Sequence, residues 1–403
     1  MNNTRTTQDV SGREEKSDGT ASSGAEPSTN ATTPNNIQVT HRTNRSAFMF
    51  ILHLILRPLG PTLTNIKCEL PAGSPRLDIP KSARRRVNVK ERHVNDMWVY
   101  DCTPKNNVTL SPDREKTKHK RIYYFAGGGW RMPASADHWA FCSHLAANLP
   151  NTTLSLISYP LAPNNPAPNT IPKLLNFLPA MFEASVNANE TIILAGDSAG
   201  ANLALALPLE MLRTYLERKE QYQQQQLEHE GQQQHSNQHQ PESPAYQDHE
   251  QHKHDLTPPT RPLMPDHILT VGPSVDLRRS NPEIPIIEKR DPLLRHKFIK
   301  ATSDVWRHDW PAEDPRCSPL LCSPEVLREL RDAGTQVHGV TGGYDILTPD
   351  GLLFRERLEK AGIKGDWLHW EKQMHVFPLA YRWGLPESRE GKNWILEKLK
   401  GAV

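Results

Sequence analysis

The stretch Thr191-Ile-Ile-Leu-Ala-Gly-Asp-Ser-Ala-Gly200, running on into Ala201-Asn-Leu-Ala-Leu-Ala206, restricts the fold more than any other part of the chain. Its first half is short, β-branched and apolar, the pattern of a strand buried on both faces. Its second half is rich in Ala and Leu, the composition of a helix packed on a sheet. Between them Gly196-Asp-Ser-Ala-Gly200 must turn from strand to helix within a few residues. Glycines two residues either side of Ser198 remove Cβ atoms that would meet the neighbouring chain. The turn lifts the serine hydroxyl above the carboxyl edge of the sheet, at the positive end of the next helix. A serine that only caps a helix fits the same local pattern, so its meaning depends on the rest of the chain.

Strands and helices alternate around this stretch. Strand patterns occur at 87–90, 96–100, 121–125, 153–159, 191–195, 267–271, 336–340 and 366–370. Helical spacing predicts helices at 137–148, 171–186, from Ser198 onward, and at 291–308, 324–333, 352–361 and 390–399. Alternation of this kind implies the α/β class, with a mostly parallel central sheet flanked by helices.

Two polar segments interrupt the pattern and account for a mean hydropathy of -0.65. Residues 1–45 hold almost no large apolar residue and are expected to be a disordered tail. Residues 217–261 mix Gln runs with six histidines between His229 and His254. Their irregular spacing reads as a disordered insertion rather than a metal site. The remainder divides into a cap region at 46–86 and a catalytic domain at 87–403 that carries the insertion.

Net charge is +2, which gives no argument for nucleic acid. Five scattered cysteines without C-x-x-C spacing suggest neither a disulfide framework nor a zinc site. No metal and no cofactor is implied. The extreme N-terminus lacks the apolar core of a secretory signal, so a cytoplasmic location is expected, with possible membrane association through 47–56.

That apolar segment, Ala47-Phe-Met-Phe-Ile-Leu-His-Leu-Ile-Leu56, is closed by Arg57-Pro58 and is about half the length of a spanning helix. It can lie in a membrane interface or cap a lipophilic site. The cap is the expectation, with Phe48, Phe50, Ile51, Leu54 and Ile55 buried on the catalytic domain. The basic run Lys81 to Arg86 reads as a solvated loop.

A serine nucleophile needs an adjacent base, usually histidine, held by a carboxylate. In a sheet of this type both come from loops at the carboxyl ends of later strands, in the order Ser, Asp, His. Asp345 and His375 stand at those places, about thirty residues apart. His369 competes as the base but lies within a strand. Asp350 and Asp366 are weaker acids, since neither directly ends one. Oxyanion donors are expected from the N–H groups of Gly128, Gly129 and Ala199.

Gly127-Gly-Gly129-Trp130, Tyr159-Pro-Leu-Ala-Pro163, Gly196-Asp-Ser-Ala-Gly200, Gly343-Tyr-Asp345 and His375-Val-Phe377 together resemble the α/β-hydrolase fold. More narrowly they resemble hormone-sensitive-lipase-like esterases, including fungal ones, over about residues 90–400. The resemblance implies an eight-stranded, mostly parallel sheet under a cap of N-terminal and inserted helices. It also implies cofactor-free hydrolysis of carboxylic esters. One departure stands out: the family usually carries His before its three glycines, where this chain has Ala126. The expected activity is a serine carboxylesterase acting on a small, lipophilic ester through Ser198, His375 and Asp345. The alternatives are the same triad acting on an amide, a formamide, an acetylated sterol or a secondary metabolite, and a non-catalytic binding protein on the same fold.

Overall fold

The computed structural model of the chain describes residues 36–63, 70–105, 118–237 and 257–402. Nine strands form one sheet: β1 (Ile37–Arg42), β2 (Val87–Val94), β3 (Met97–Pro104), β4 (His119–Phe125), β5 (Thr152–Ser158), β6 (Glu190–Asp197), β7 (His267–Val271), β8 (Gln336–Tyr344) and β9 (Gly365–Met374). Their order across the sheet is β1-β9-β8-β7-β6-β4-β5-β3-β2. Only β2 with β3 and β3 with β5 run antiparallel. The eight strands expected from the sequence are all present, and the apolar runs of the central ones, β5, β6 and β7, are buried on both sides.

Ten α-helices lie among the described residues. The first five are α1 (Ala47–Leu63), α2 (Lys81–Arg86), α3 (Ala136–Asn148), α4 (Ala167–Asn187) and α5 (Ala199–Asn237). The others are α6 (Ile284–Glu288), α7 (His296–Arg307), α8 (Pro324–Asp332), α9 (Thr348–Lys360) and α10 (Pro386–Gly401). Alternate side chains send the sheet's apolar surface both ways. Tyr123, Phe125 and Leu194 join one core with residues of α4, α5, α8 and α9. Tyr124, Ile193 and Val340 join the other with residues of α3 and α10. Both layers are needed because a parallel sheet has no face that can be left to water.

The ninth strand corrects the reading of 1–45 as wholly disordered and of the sheet as eight-stranded. Ile37–Arg42 pairs in parallel with β9, from Ile37 opposite Gly365 to Arg42 opposite Trp370. Its composition is polar because it is an edge strand: Ile37 is fully buried while most of its other side chains face solvent. Residues 1–35 of that segment lie outside the described residues. The insertion expected at 217–261 is likewise narrower. Helix α5 continues to Asn237, carrying the Gln run on an exposed surface, and 238–256 lie outside the described residues. Gln, Glu and Leu are good helix formers, so a helix already anchored on the sheet can extend through them.

Smaller differences have local causes. Arg57-Pro58 does not end the apolar helix, which runs on to Leu63. The basic run is helix α2 rather than a loop, with Ala83 buried as its contact. Helix α7 begins at His296 rather than Asp291, because the Asp291 carboxylate accepts the N–H groups of Leu293 and Leu294 and holds them in a turn.

Helix α1 is aimed from β1. Trp370 Nε1 donates to the carbonyl of Asn44 at 2.7 Å, just past the strand. The Ser46 hydroxyl then accepts the Met49 N–H at 3.1 Å, capping α1, and donates to the buried Glu387 at 3.0 Å. Met49, His53, Leu56 and Gly60 face inward, whereas Phe48, Phe50, Ile51, Leu54 and Ile55 are exposed. The helix therefore covers the domain with the opposite side from the one the sequence suggested. Periodicity could not choose between them, because the segment is apolar all round.

Loss of β1 should destabilise a chain that loss of the tail does not. A chain beginning at Asn36 is expected to keep the melting temperature of the full protein, and one beginning at Asn44 to fall well below it. Ile37→Ala alone should cost about 2–4 kcal/mol, checked by urea titration monitored by tryptophan fluorescence.

Candidate active site

Ser198 joins β6 to α5 with φ at 52°, a left-handed backbone that few L-residues adopt. The close packing around it explains the flanking glycines. A Cβ at Gly200 would lie 2.0 Å from the Phe125 carbonyl oxygen, and one at Gly196 would lie 2.5 Å from the Gly200 backbone. The Ser198 N–H donates to the Val271 carbonyl at 2.8 Å, which fixes the turn against β7.

The other two predicted residues arrive from the ends of β8 and β9. His375 Nε2 lies 2.9 Å from Ser198 Oγ, and its Nδ1 lies 2.7 Å from Asp345 Oδ2. Asp345 is fully buried, and its Oδ1 accepts the Leu347 N–H at 2.9 Å. Nδ1 donating to the carboxylate leaves the Nε2 lone pair directed at the serine. Burial alone would lower the His375 pKa. The charge and hydrogen bond of Asp345 outweigh it, with Asp291 and Asp197 adding, so the imidazole lies above the ordinary value of 6.5.

The glycine loop lies beside the serine, with Gly128 and Gly129 lining the same cavity as Ser198. Gly128 has φ at 118° and Gly129 at 59°. The Gly128 carbonyl accepts the N–H groups of Arg131 and Met132, both at 3.1 Å, which holds the loop as a tight turn. Among the described residues, the N–H groups of Gly128, Gly129 and Ala199 donate to no protein acceptor. Behind the loop, Trp130 stacks on Trp306 of α7 with ring centroids 5.5 Å apart.

The competing residues are elsewhere. His369 pairs with Thr341 at 3.0 Å and stacks on His41. Asp350 accepts from Asn281 and Asp366 is paired with Lys398. Among the described residues no group of three or more His, Cys, Asp or Glu side chains is placed to hold a metal ion.

Sequence reasoning missed a second buried cluster beneath the serine. Asp197 accepts the Tyr124 hydroxyl at 2.7 Å and the Gly127 N–H at 3.1 Å on one oxygen, and meets His138 Nε2 at 3.2 Å on the other. Burial would raise the Asp197 pKa, but His138 and these hydrogen bonds bring it below the usual carboxylate value. The cluster ties the first glycine of the loop to the strand that carries Ser198, a bracing role at a loop where Ala126 offers no polar group. His138 was legible only as the last residue of Ser135-x-x-His138, in which the two side chains cap α3.

Asp291 is a further unforeseen group. Its second oxygen accepts the Ile346 N–H at 3.0 Å, next to Asp345. Burial and the nearby Asp345 charge push its pKa up to about 7, against the pull of its three N–H donors.

Ser198, His375, Gly128, Gly129, His138 and Asp197 line a cavity of about 360 Å³. Its walls are mostly apolar: Leu52 and Leu56 from α1, Leu293, Leu294 and Phe298 from the α6–α7 side, and Leu379 and Trp383 after β9.

A family model described as the alpha/beta hydrolase fold matches residues 122–379, more than half of the chain. The chain belongs to the α/β-hydrolase-fold family. Its similarity runs to esterases within it. It is 26% identical over 277 residues to an esterase from Acinetobacter venetianus, covering 68% of this chain and 73% of that one. It is 24% identical over 346 residues to arylacetamide deacetylase from Bos taurus, covering 79% and 82%. Among solved structures, carboxyl esterase 2 from the mycorrhizal fungus Tuber melanosporum superposes with a TM-score of 0.63 at 15% identity, covering 89% of this chain and 100% of that one. A hormone-sensitive lipase from a metagenome library gives 0.61 at 18% identity, covering 89% and 99%. These likenesses agree with the mostly parallel sheet flanked by helices.

The shared field of Asp345 and Asp291 gives a measurable shift. NMR titration of His375 should give a midpoint above 6.5, and Asp291→Asn should move it downward by removing a charge that favours the imidazolium. A midpoint unchanged by the substitution would show that Asp291 does not act on His375.

Proposed function

We propose that this chain is a serine carboxylesterase acting on small, lipophilic esters. The observation that carries the reading is the continuous hydrogen-bonded chain from Asp345 through His375 to Ser198 at the floor of an apolar cavity. Ser198 Oγ attacks the ester carbonyl while His375 Nε2 takes its proton. Asp345 holds the imidazole in the tautomer that accepts it and stabilises the imidazolium formed. The tetrahedral oxyanion is held by the N–H groups of Gly128, Gly129 and Ala199. Its collapse expels the alcohol, which receives the proton from His375 and leaves an acyl-enzyme on Ser198. Water, deprotonated by the same imidazole, releases the acid.

The cavity supports the substrate class. Its volume of about 360 Å³ is at the small end of ligand sites. Leucine and phenylalanine walls leave orientation to the reacting carbonyl and reward an apolar acyl or alcohol group. A second reading, hydrolysis of an arylamide, draws support from the similarity to arylacetamide deacetylase. It uses the same residues and differs only in the protonation of a poorer leaving group. A non-catalytic binding role is disfavoured by the intact proton path.

Ser198→Ala should lower turnover of a soluble ester by about three to six orders of magnitude and abolish labelling by a fluorophosphonate, with the melting temperature kept. Labelling that persists would remove Ser198 from its role. A panel of acyl esters beside the matching anilides separates the two readings.

A further inference from the structure

Helix α1 has two apolar sides, and only one of them is used by the domain. Leu52 and Leu56 form part of the cavity wall. The other side presents Phe48, Ile51, Leu54, Ile55 and Leu59 to solvent, with Phe48 73% and Leu54 57% exposed. Trp383 lines the cavity yet is 57% exposed, so the apolar surface is continuous with the rim of the site. A further exposed apolar residue, Ile286, lies on α6. Leaving this much apolar side chain in water is unfavourable and marks an interaction surface.

Its charges indicate what covers it. α1 contains no acidic residue. Arg45 holds its guanidinium over the Phe50 ring at 4.7 Å. Arg57 donates to the Lys289 carbonyl, which brings Lys289 and Arg290, both exposed, beside the helix. Among the described residues none of these four cations forms an ion pair. Of the nearby acids, Glu288 accepts the His296 N–H at 2.8 Å, while Glu283 and Glu371 line a cleft with Arg290, on its side away from the strip. An apolar strip with a mainly cationic fringe matches a lipid surface that offers acyl chains beneath anionic head groups. Two copies meeting through this face would bring the same cations together with no acidic residue on α1 to answer them.

We propose that the outer face of α1, with Trp383 at the rim, docks on an anionic phospholipid surface, so that the helix lies in the interface and the cavity opens at the lipid boundary. No described helix is long and apolar enough to cross a membrane, which agrees with a helix lying on one. That a docked protein takes its substrate from the lipid rests on the esterase reading above; the docking itself does not.

The test uses the full chain carrying Ser198→Ala, so that binding is read without turnover. It is sedimented with phosphatidylcholine vesicles with and without phosphatidylglycerol. The protein should sediment with the mixed vesicles and far less with the neutral ones. Ile51→Glu with Ile55→Glu should weaken binding at least about tenfold. Lys289→Glu and Arg290→Glu should weaken it about fivefold each, and added salt should mimic them. The same substitutions in active enzyme should leave hydrolysis of a short soluble ester within about twofold and reduce hydrolysis of an ester embedded in the mixed vesicles. Parent protein that stays in the supernatant, or glutamate variants that sediment equally, would overturn the proposal. A parent dimer in sedimentation velocity that the glutamate pair turns into monomer would assign the face to a second copy instead. Failure of the esterase reading would appear separately, as docking retained without hydrolysis of any soluble ester.

Discussion

The structure depends most on the close approach of α5 to the end of β4. Gly200 lies so near the Phe125 carbonyl that a single Cβ would have to displace backbone. That contact lets the helix begin immediately after Ser198 and forces the serine into its left-handed conformation. Backbone strain of this kind persists only where surrounding contacts over-determine it. Here the N–H of Ser198 is held by Val271, and Asp197, the residue before it, is held by Tyr124 and Gly127. The serine hydroxyl, the glycine loop and the helix start are therefore positioned by one packing event.

Around that point the chain assembles charges that water would otherwise separate. Asp345 is fully buried and balanced by His375, while Asp197 is balanced by His138. The two pairs sit on opposite sides of Ser198 along the chain and serve different ends. The first aims the imidazole at the hydroxyl, and the second holds the loop beside it. Asp291 stands apart, since its neighbours are backbone N–H groups and another carboxylate. It stitches the turn at Leu293 and Leu294, part of the cavity wall, to the residue after Asp345.

Much of this was legible in the sequence because strand ends and the side chains that follow them are local features. The β-branched runs gave eight strands, and Asp345 and His375 could be named because each follows one directly. What could not be read depended on partners far along the chain. Ile37–Arg42 looks like tail until it finds β9, since an edge strand needs only one buried residue to be stable there. The inward side of α1 could not be chosen, because both sides are apolar and the choice rests on Glu387 and Trp370. His138 carried no catalytic spacing, and its meaning appears only when α3 places it against Asp197.

The edge strand has a consequence for how this enzyme breathes. β1 and β9, the strand that His375 follows, run side by side, and β1 continues within five residues into α1. Edge strands with one neighbour are among the first elements to open locally. When β1 detaches, the wall formed by Leu52 and Leu56 loses its anchor, and β9 becomes an outer strand itself. Opening of β1 is therefore expected to loosen the cavity wall and the surroundings of His375 together. Hydrogen exchange along β1 would report it, and whatever steadies α1 from outside is expected to steady His375 as well.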